Sequence, residues 1–181
     1  MRWRTLIVAC LAVGATGPGA DRAAAVERVD VPPACSAPEY RQFDFWIGVW
    51  DVRSDGVTIA QSRIETGRDG CTIDEHYLQS DGYRGGSINF YDAVLRKWRQ
   101  AWVDAAGSVG EFAGTFERGA MRFEGETHTH EGRRILRRLT LSPESPDRVR
   151  QYSEASTDDG RTWRPHYDFI YIRKSEALRG P

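Results

Sequence analysis

Two carboxylates, Glu75 and Asp104, sit among aromatic, amide and hydroxyl residues in the middle of the chain. Glu75 shares alternate positions with Tyr77, and Asp104 with Trp98, Gln100 and Trp102. Ser87, Asn89 and Tyr91 form a third alternating set. Successive side chains of a strand point to opposite faces, so each set lies on one face. Turned inward, such faces would line an interior with rings and a few fixed polar groups, which suits a small amphiphilic or aromatic ligand. Gln151 of Val149-Arg150-Gln151 joins these residues as a ligand-binding candidate. Burial among rings raises a carboxyl pKa toward neutrality, as a general acid or base requires. Glu75 and Asp104 are therefore the acid and base candidates if the protein is an enzyme. A plainer role for the same residues is a buried hydrogen-bond network that keeps strands in register.

Other groups offer less chemistry. His76 follows Glu75 and so belongs to the opposite, outer face. His128 and His130 share a strand face, but no third ligand accompanies them and no Cys-x-x-Cys spacing exists, so no metal is expected. His166 is the one candidate for a haem ligand. Gly48-Val49-Trp50-Asp51 departs from the glycine pattern of haem-binding barrels after the Trp, so no cofactor is expected. Arg133, Arg134, Arg137 and Arg138 read as a solvated face; one turned inward would suit a carboxylate-bearing ligand. No serine nucleophile elbow, P-loop or dinucleotide glycine pattern is present. Gly82 to Gly86 lacks the strand-to-helix context that phosphate binding needs.

The elements that would position these residues are strands. Turn residues recur at Asp55-Gly56, Asp69-Gly70, Asp81-Gly82, Asp92, Ala106-Gly107, Arg118-Gly119, Glu131-Gly132, Pro143 to Pro146 and Asp159-Gly160. Glycine supplies positive φ, and aspartate tolerates it or bonds its own backbone, so these are hairpin turns. The spacing predicts strands near 45–53, 57–66, 71–80, 84–92, 97–104, 108–117, 120–128, 133–141, 147–157 and 162–173. Arg133 to Leu139 could also be written as an amphipathic helix, but Gly132 and the surrounding β pattern favour a strand. Short turns make sequence neighbours spatial neighbours. A meander of this length removes its edges by closing, which predicts an all-β fold: a single antiparallel up-and-down barrel. Glu39 to Asp44 is predicted as one helical turn that plugs an end.

The N-terminus reads as a signal peptide over residues 1–25: a basic start, an apolar stretch from Thr5 to Ala15 and Ala23-Ala24-Ala25 before a cut at Val26. A lipoprotein cut at Cys10 is the lesser alternative. Removal takes away Arg2, Arg4, Arg22 and Asp21, leaving 156 residues with 22 basic and 25 acidic groups, a net charge of −3. Nothing in that balance favours a nucleic-acid or anionic-membrane partner. No further apolar run approaches a membrane span. The organisation expected is a leader and plug over 26–42, a barrel domain over 43–174 and a tail over 175–181. Cys35 and Cys71 remain, and an even count in an exported chain favours a disulfide over two buried thiols or a metal pair. Export leaves periplasm and medium as destinations.

Two motifs resemble known families. Ser156-Thr157-Asp158-Asp159-Gly160-Arg161-Thr162-Trp163 resembles the Asp-box of sialidase-type propellers. It occurs once, so it reads as turn chemistry: Asp158 on backbone amides, Gly160 at positive φ, Trp163 under the hairpin. Gly48-x-Trp50 with Arg173 resembles the lipocalin and calycin pattern, in which the Trp closes the barrel floor and a late Arg crosses it. Phe43-Asp44-Phe45-Trp46-Ile47-Gly48-Val49-Trp50-Asp51-Val52 opens an ordered series of further motifs. Next come Gly70-Cys71 with Glu75, the set from Gly85 to Asp92, and Trp98 to Gly107. Val149-Arg150-Gln151 and the Asp-box close the series. Together they resemble a family of exported bacterial lipocalin-like barrels without assigned function. The resemblance implies a fold and no catalytic residue. It leaves small-molecule binding as the expected function, with a carboxylate-based isomerase or hydrolase and a solid-cored protein-interaction module as the alternatives.

Overall fold

The computed structural model describes residues 35–175. The chain divides into two units, Met1–Val31 and Pro32–Pro181, and all the described residues lie in the second. The proposed signal peptide, its cleavage point and the leader before Cys35 lie outside the described residues.

Ten antiparallel strands close into one barrel. They are β1 (Gly48–Ser54), β2 (Val57–Gly67), β3 (Thr72–Gln79), β4 (Arg84–Asp92), β5 (Lys97–Asp104), β6 (Val109–Glu117), β7 (Ala120–His128), β8 (Arg134–Ser145), β9 (Arg148–Ser156) and β10 (Arg164–Arg173). Each pairs with its sequence neighbours, and β1 pairs with β10 to complete the ring. Hairpin chemistry explains the order. Asp55-Gly56, Arg118-Gly119 and Asp159-Gly160 each place two successive residues at positive φ, which matches the twist of the flanking strands. The run Arg133 to Leu139 is strand: β8 pairs Arg137 with Gly125 and with Ala155. It also runs past Pro143, where the register shifts, so the turn that follows is shorter than the sequence suggests.

The N-terminal end of the barrel is filled. Short 3-10 turns occupy Pro38–Arg41 and Asp44–Trp46, rather than one turn over Glu39 to Asp44. Phe45 and Trp46 therefore belong to the plug and not to the first strand. Phe43 stacks on Trp46 with ring centroids 5.0 Å apart and meets Trp98 edge-on at 5.5 Å. Phe43, Trp46 and Trp50 are fully buried. Each such ring removes on the order of 200 Å² from water, about 5 kcal/mol before entropy is counted.

Trp50 and Arg173 form the floor. They are register partners on β1 and β10, and the guanidinium lies 4.1 Å from the indole centroid. Arg173 Nη1 donates to the Ile47 carbonyl at 2.8 Å, and Trp50 Nε1 donates to the Trp46 carbonyl at 2.9 Å. Gly48, with φ of 147°, is where the plug becomes strand; a Cβ there would overlap the Arg173 guanidinium. Cys35 and Cys71 form a disulfide with Cα atoms 5.0 Å apart, tying the segment before the plug to the start of β3. Arg41 donates to the Gly70 carbonyl beside it.

Candidate functional site

The other end of the barrel is open and leads into a cavity of about 340 Å³. Strand alternation builds its wall. Glu75, Tyr77 and Gln79 line it from β3, Gln100, Trp102 and Asp104 from β5, and Ile135, Arg137 and Leu139 from β8. Gln151 and Ser153 contribute from β9, and Tyr167, Phe169 and Tyr171 from β10.

Three glycines keep the rings of this wall flat. A Cβ at Gly85 would overlap the Trp102 indole. A Cβ at Gly110 or at Gly125 would come within 2.7 Å of the Phe112 ring. Trp102 and Phe112 therefore lie along the wall instead of across the centre.

Glu75 lies deep in the cavity, 5 % exposed. Ser62 Oγ donates to its Oε1 at 2.9 Å, Ser87 Oγ to its Oε2 at 3.1 Å, and Tyr171 Oη to Oε1 at 3.3 Å. A relay stands behind Ser87. Asn89 Nδ2 donates to Ser87 Oγ at 2.9 Å, and Gln100 Nε2 donates to Asn89 Oδ1 at 2.8 Å. Burial pushes the Glu75 carboxyl up to about 7, outweighing the three hydroxyls that favour its charged form. The proton on Glu75 is thus exchangeable near neutral pH. His76 points outward instead, 3.5 Å from Glu65.

Asp104 is at the mouth and differently held. Tyr83 Oη donates to its Oδ2 at 2.8 Å, and the backbone amides of Ala106 and Ser108 donate to Oδ1 at 2.9 Å. Against a desolvation that raises it, these donors together hold its pKa below the usual carboxylate value. Asp104 and Glu75 face the same cavity, but Asp104 serves as the cap of the β5–β6 turn.

The other sequence candidates divide by depth. Asn89 and Ser87 are buried in the relay. Tyr91 packs edge-on against Tyr40 of the plug at 5.3 Å. Trp98 donates from Nε1 to Gln42 Oε1 at 3.2 Å. Both rings face inward, yet they build the plugged end. Gln151 Nε2 donates to Tyr167 Oη at 3.2 Å within the cavity wall.

Sequence reasoning did not single out Tyr167, Tyr171, Phe112 or Tyr83 as lining residues. For Tyr171 the signal was available, because Tyr167, Phe169 and Tyr171 alternate up to Arg173. Arg137 likewise alternates with Ile135 and Leu139, which assigns it to the inner face. His166 was not legible. A bulge between Pro165 and Tyr167 inserts it as an extra residue, so His166 and Tyr167 both reach the cavity.

The Asp-box is a turn on the outside. Ser156 Oγ donates to Asp158 Oδ1 at 2.7 Å, the Thr162 amide donates to the same oxygen at 2.9 Å, and Thr162 Oγ1 donates to Oδ2 at 2.6 Å. Gly160 has φ of 83°. Trp163 donates to the Gly160 carbonyl and lies 3.9 Å from the Arg138 guanidinium. His128 ends β7 and His130 sits in the turn beyond it. Among the described residues, no three His, Cys, Asp or Glu side chains cluster as metal ligands. Among the same residues no helix is long and apolar enough to cross a membrane.

These features define a closed β-barrel with one plugged end and one open, aromatic-lined chamber. In comparison with known proteins, no protein-family model and no curated protein matches the chain.

Proposed function

We propose that this protein is an exported lipocalin-like barrel that binds a small amphiphilic or aromatic molecule in its chamber. The cavity of about 340 Å³ carries the proposal. It falls within the range of roughly 300 to 1,000 Å³ that ligand sites occupy. At about 30 Å³ per water it has room for about eleven waters. Its rings supply contact area, while Gln100, Gln151 and Tyr167 supply orienting hydrogen bonds. The Cys35–Cys71 disulfide supports an oxidising destination, in keeping with the signal-like N-terminus. The ordered motifs and the closed meander support the lipocalin-like kinship. A solid-cored interaction module accords least with a chamber of this size.

Native mass spectrometry of protein purified from the periplasm tests the proposal. A co-purifying mass that leaves on denaturation is the expected result. A bare protein mass after gentle preparation, together with failure to take up a neutral naphthylamine dye, would rule the proposal out.

One observation favours a second reading, in which the barrel performs acid or base chemistry. Glu75, poised near pH 7 in a desolvated site, has the property a general acid or base needs. Asp104, engaged by Tyr83 and the turn amides, leaves Glu75 without a second free carboxylate. On that reading Glu75 alone would shuttle the proton.

A further inference from the structure

The run Arg133, Arg134, Arg137, Arg138 is not uniform in its partners. Arg133 pairs with Glu131, Arg134 with Glu126 and Asp159, and Arg138 with Glu124. Arg137 pairs with no acid among the described residues. Its position on β8, between Ile135 and Leu139, turns it into the chamber. Nε donates to Thr127 Oγ1 at 3.1 Å, but Nη1 is buried with no hydrogen-bond partner among the described residues.

A half-buried guanidinium with one buried, idle donor carries a cost. The two carboxylates of the chamber do not offset it. Glu75 takes three hydroxyl donors deeper in, and Asp104 takes Tyr83 and the turn amides at the mouth. The β10 bulge brings His166 toward the chamber, where burial first, and the charge of Arg137 second, hold that imidazole below its usual pKa. Histidine in its neutral form still carries one N–H donor. The wall around Arg137 thus offers donors and one uncompensated positive charge beside the rings of Tyr167 and Phe112.

We propose that Arg137 is the anion anchor of the chamber and that the ligand is an organic acid. It would carry one carboxylate or sulfonate head on an apolar body of about the size of two or three rings. The proposal rests on the small-molecule reading above and names its ligand class. A planar fork with free donors favours such a head over a diffuse charge. Its three neighbours in the run each have an acidic partner, and Arg137, the one turned into the chamber, has none among the described residues.

A matched pair of dyes tests this. Anilinonaphthalenesulfonate carries the anion, and N-phenylnaphthylamine is the same body without it. Fluorescence titration of the wild-type protein should show the anionic dye binding at least about tenfold tighter. Arg137→Met should abolish that preference while leaving the neutral dye's affinity within about twofold, and Arg137→Lys should keep part of it. Without dye, Arg137→Met should unfold at the same or a higher urea concentration, because it removes a half-buried charge that no acid offsets. A preference that survives in Arg137→Met overturns the anchor. So does equal loss of both dyes, or a marked fall in the urea midpoint, since these point to a structural arginine. Neutral-dye binding without anion preference in the wild type overturns the anchor and leaves the chamber proposal standing. Failure of both dyes in the wild type overturns the anchor and, with a bare mass in native mass spectrometry, the chamber proposal as well.

Discussion

Glu75 holds its proton more tightly in the folded chain than in the unfolded one. Its folded pKa is about 7 against 4.5 for the free side chain. Below pH 4.5 both states are protonated and the residue carries no penalty. Between 4.5 and 7 the unfolded chain ionises first, so stability falls as pH rises. Above 7 the full penalty remains, about 3 kcal/mol at about 1.4 kcal/mol per pKa unit. Glu75→Gln removes the titration. Urea unfolding at pH 4 and pH 8 should show the wild type losing about 3 kcal/mol more than the variant across that range. Equal losses in both proteins would refute the assignment. The inward orientation of Glu75 was legible from alternation with Tyr77, but its partners were not. Tyr171 bonds it from 96 residues away, and only barrel closure brings the two together. Arg137 was legible in the same way, by alternation with Ile135 and Leu139, but its lack of an acidic partner was not, because its neighbours' partners come from other strands and turns.

Among elements, the plug and its disulfide hold one end of the barrel. The Cys35–Cys71 link spans 36 residues of sequence. Closing a loop of that length in the unfolded chain contributes about 3 to 4 kcal/mol by the chain-entropy account. The double variant Cys35→Ser, Cys71→Ser should lower unfolding stability by about that amount under non-reducing conditions, read as a shift in urea midpoint at constant slope. Two titratable thiols in the native wild type would show the link to be absent. The hairpins were legible because each turn carries its own chemistry in adjacent residues, as Asp158, Gly160 and Trp163 do. The start of β1 was displaced because Phe45 and Trp46 look like strand formers. Their burial is earned against Phe116 and Tyr171, contacts that no local pattern encodes. The bulge at His166 escaped for a related reason: an inserted residue breaks the alternation by which faces are assigned.

At the scale of the whole molecule, the pairing of β1 with β10 joins the first and last strands, so folding is one closure. A ligand that binds only the closed barrel must therefore stabilise all of it. At one hundred times its dissociation constant, the anionic dye should add about 2.7 kcal/mol. For a domain of this size that is a rise in Tm of about 5 to 10 °C. Scanning calorimetry should record it in the wild type and much less of it in Arg137→Met at the same dye concentration. No rise in the wild type would mean that the dye does not bind the folded barrel in preference to the unfolded chain. The meander and its closure were readable from turn spacing and from Gly48, Trp50 and Arg173. The chamber itself was not, because alternation reveals which side chains face in and says nothing of how far they reach.

That reach is set by residues with no side chain. Gly85, Gly110 and Gly125 give Trp102 and Phe112 somewhere to lie other than the axis. A single methyl at Gly85 would swing the Trp102 indole toward the bore, narrowing the gauge of what can enter without changing the chemical identity of any lining side chain. Related barrels could thus exchange one size of guest for another through backbone positions alone, while keeping the same charge and the same proton at the bottom of the well.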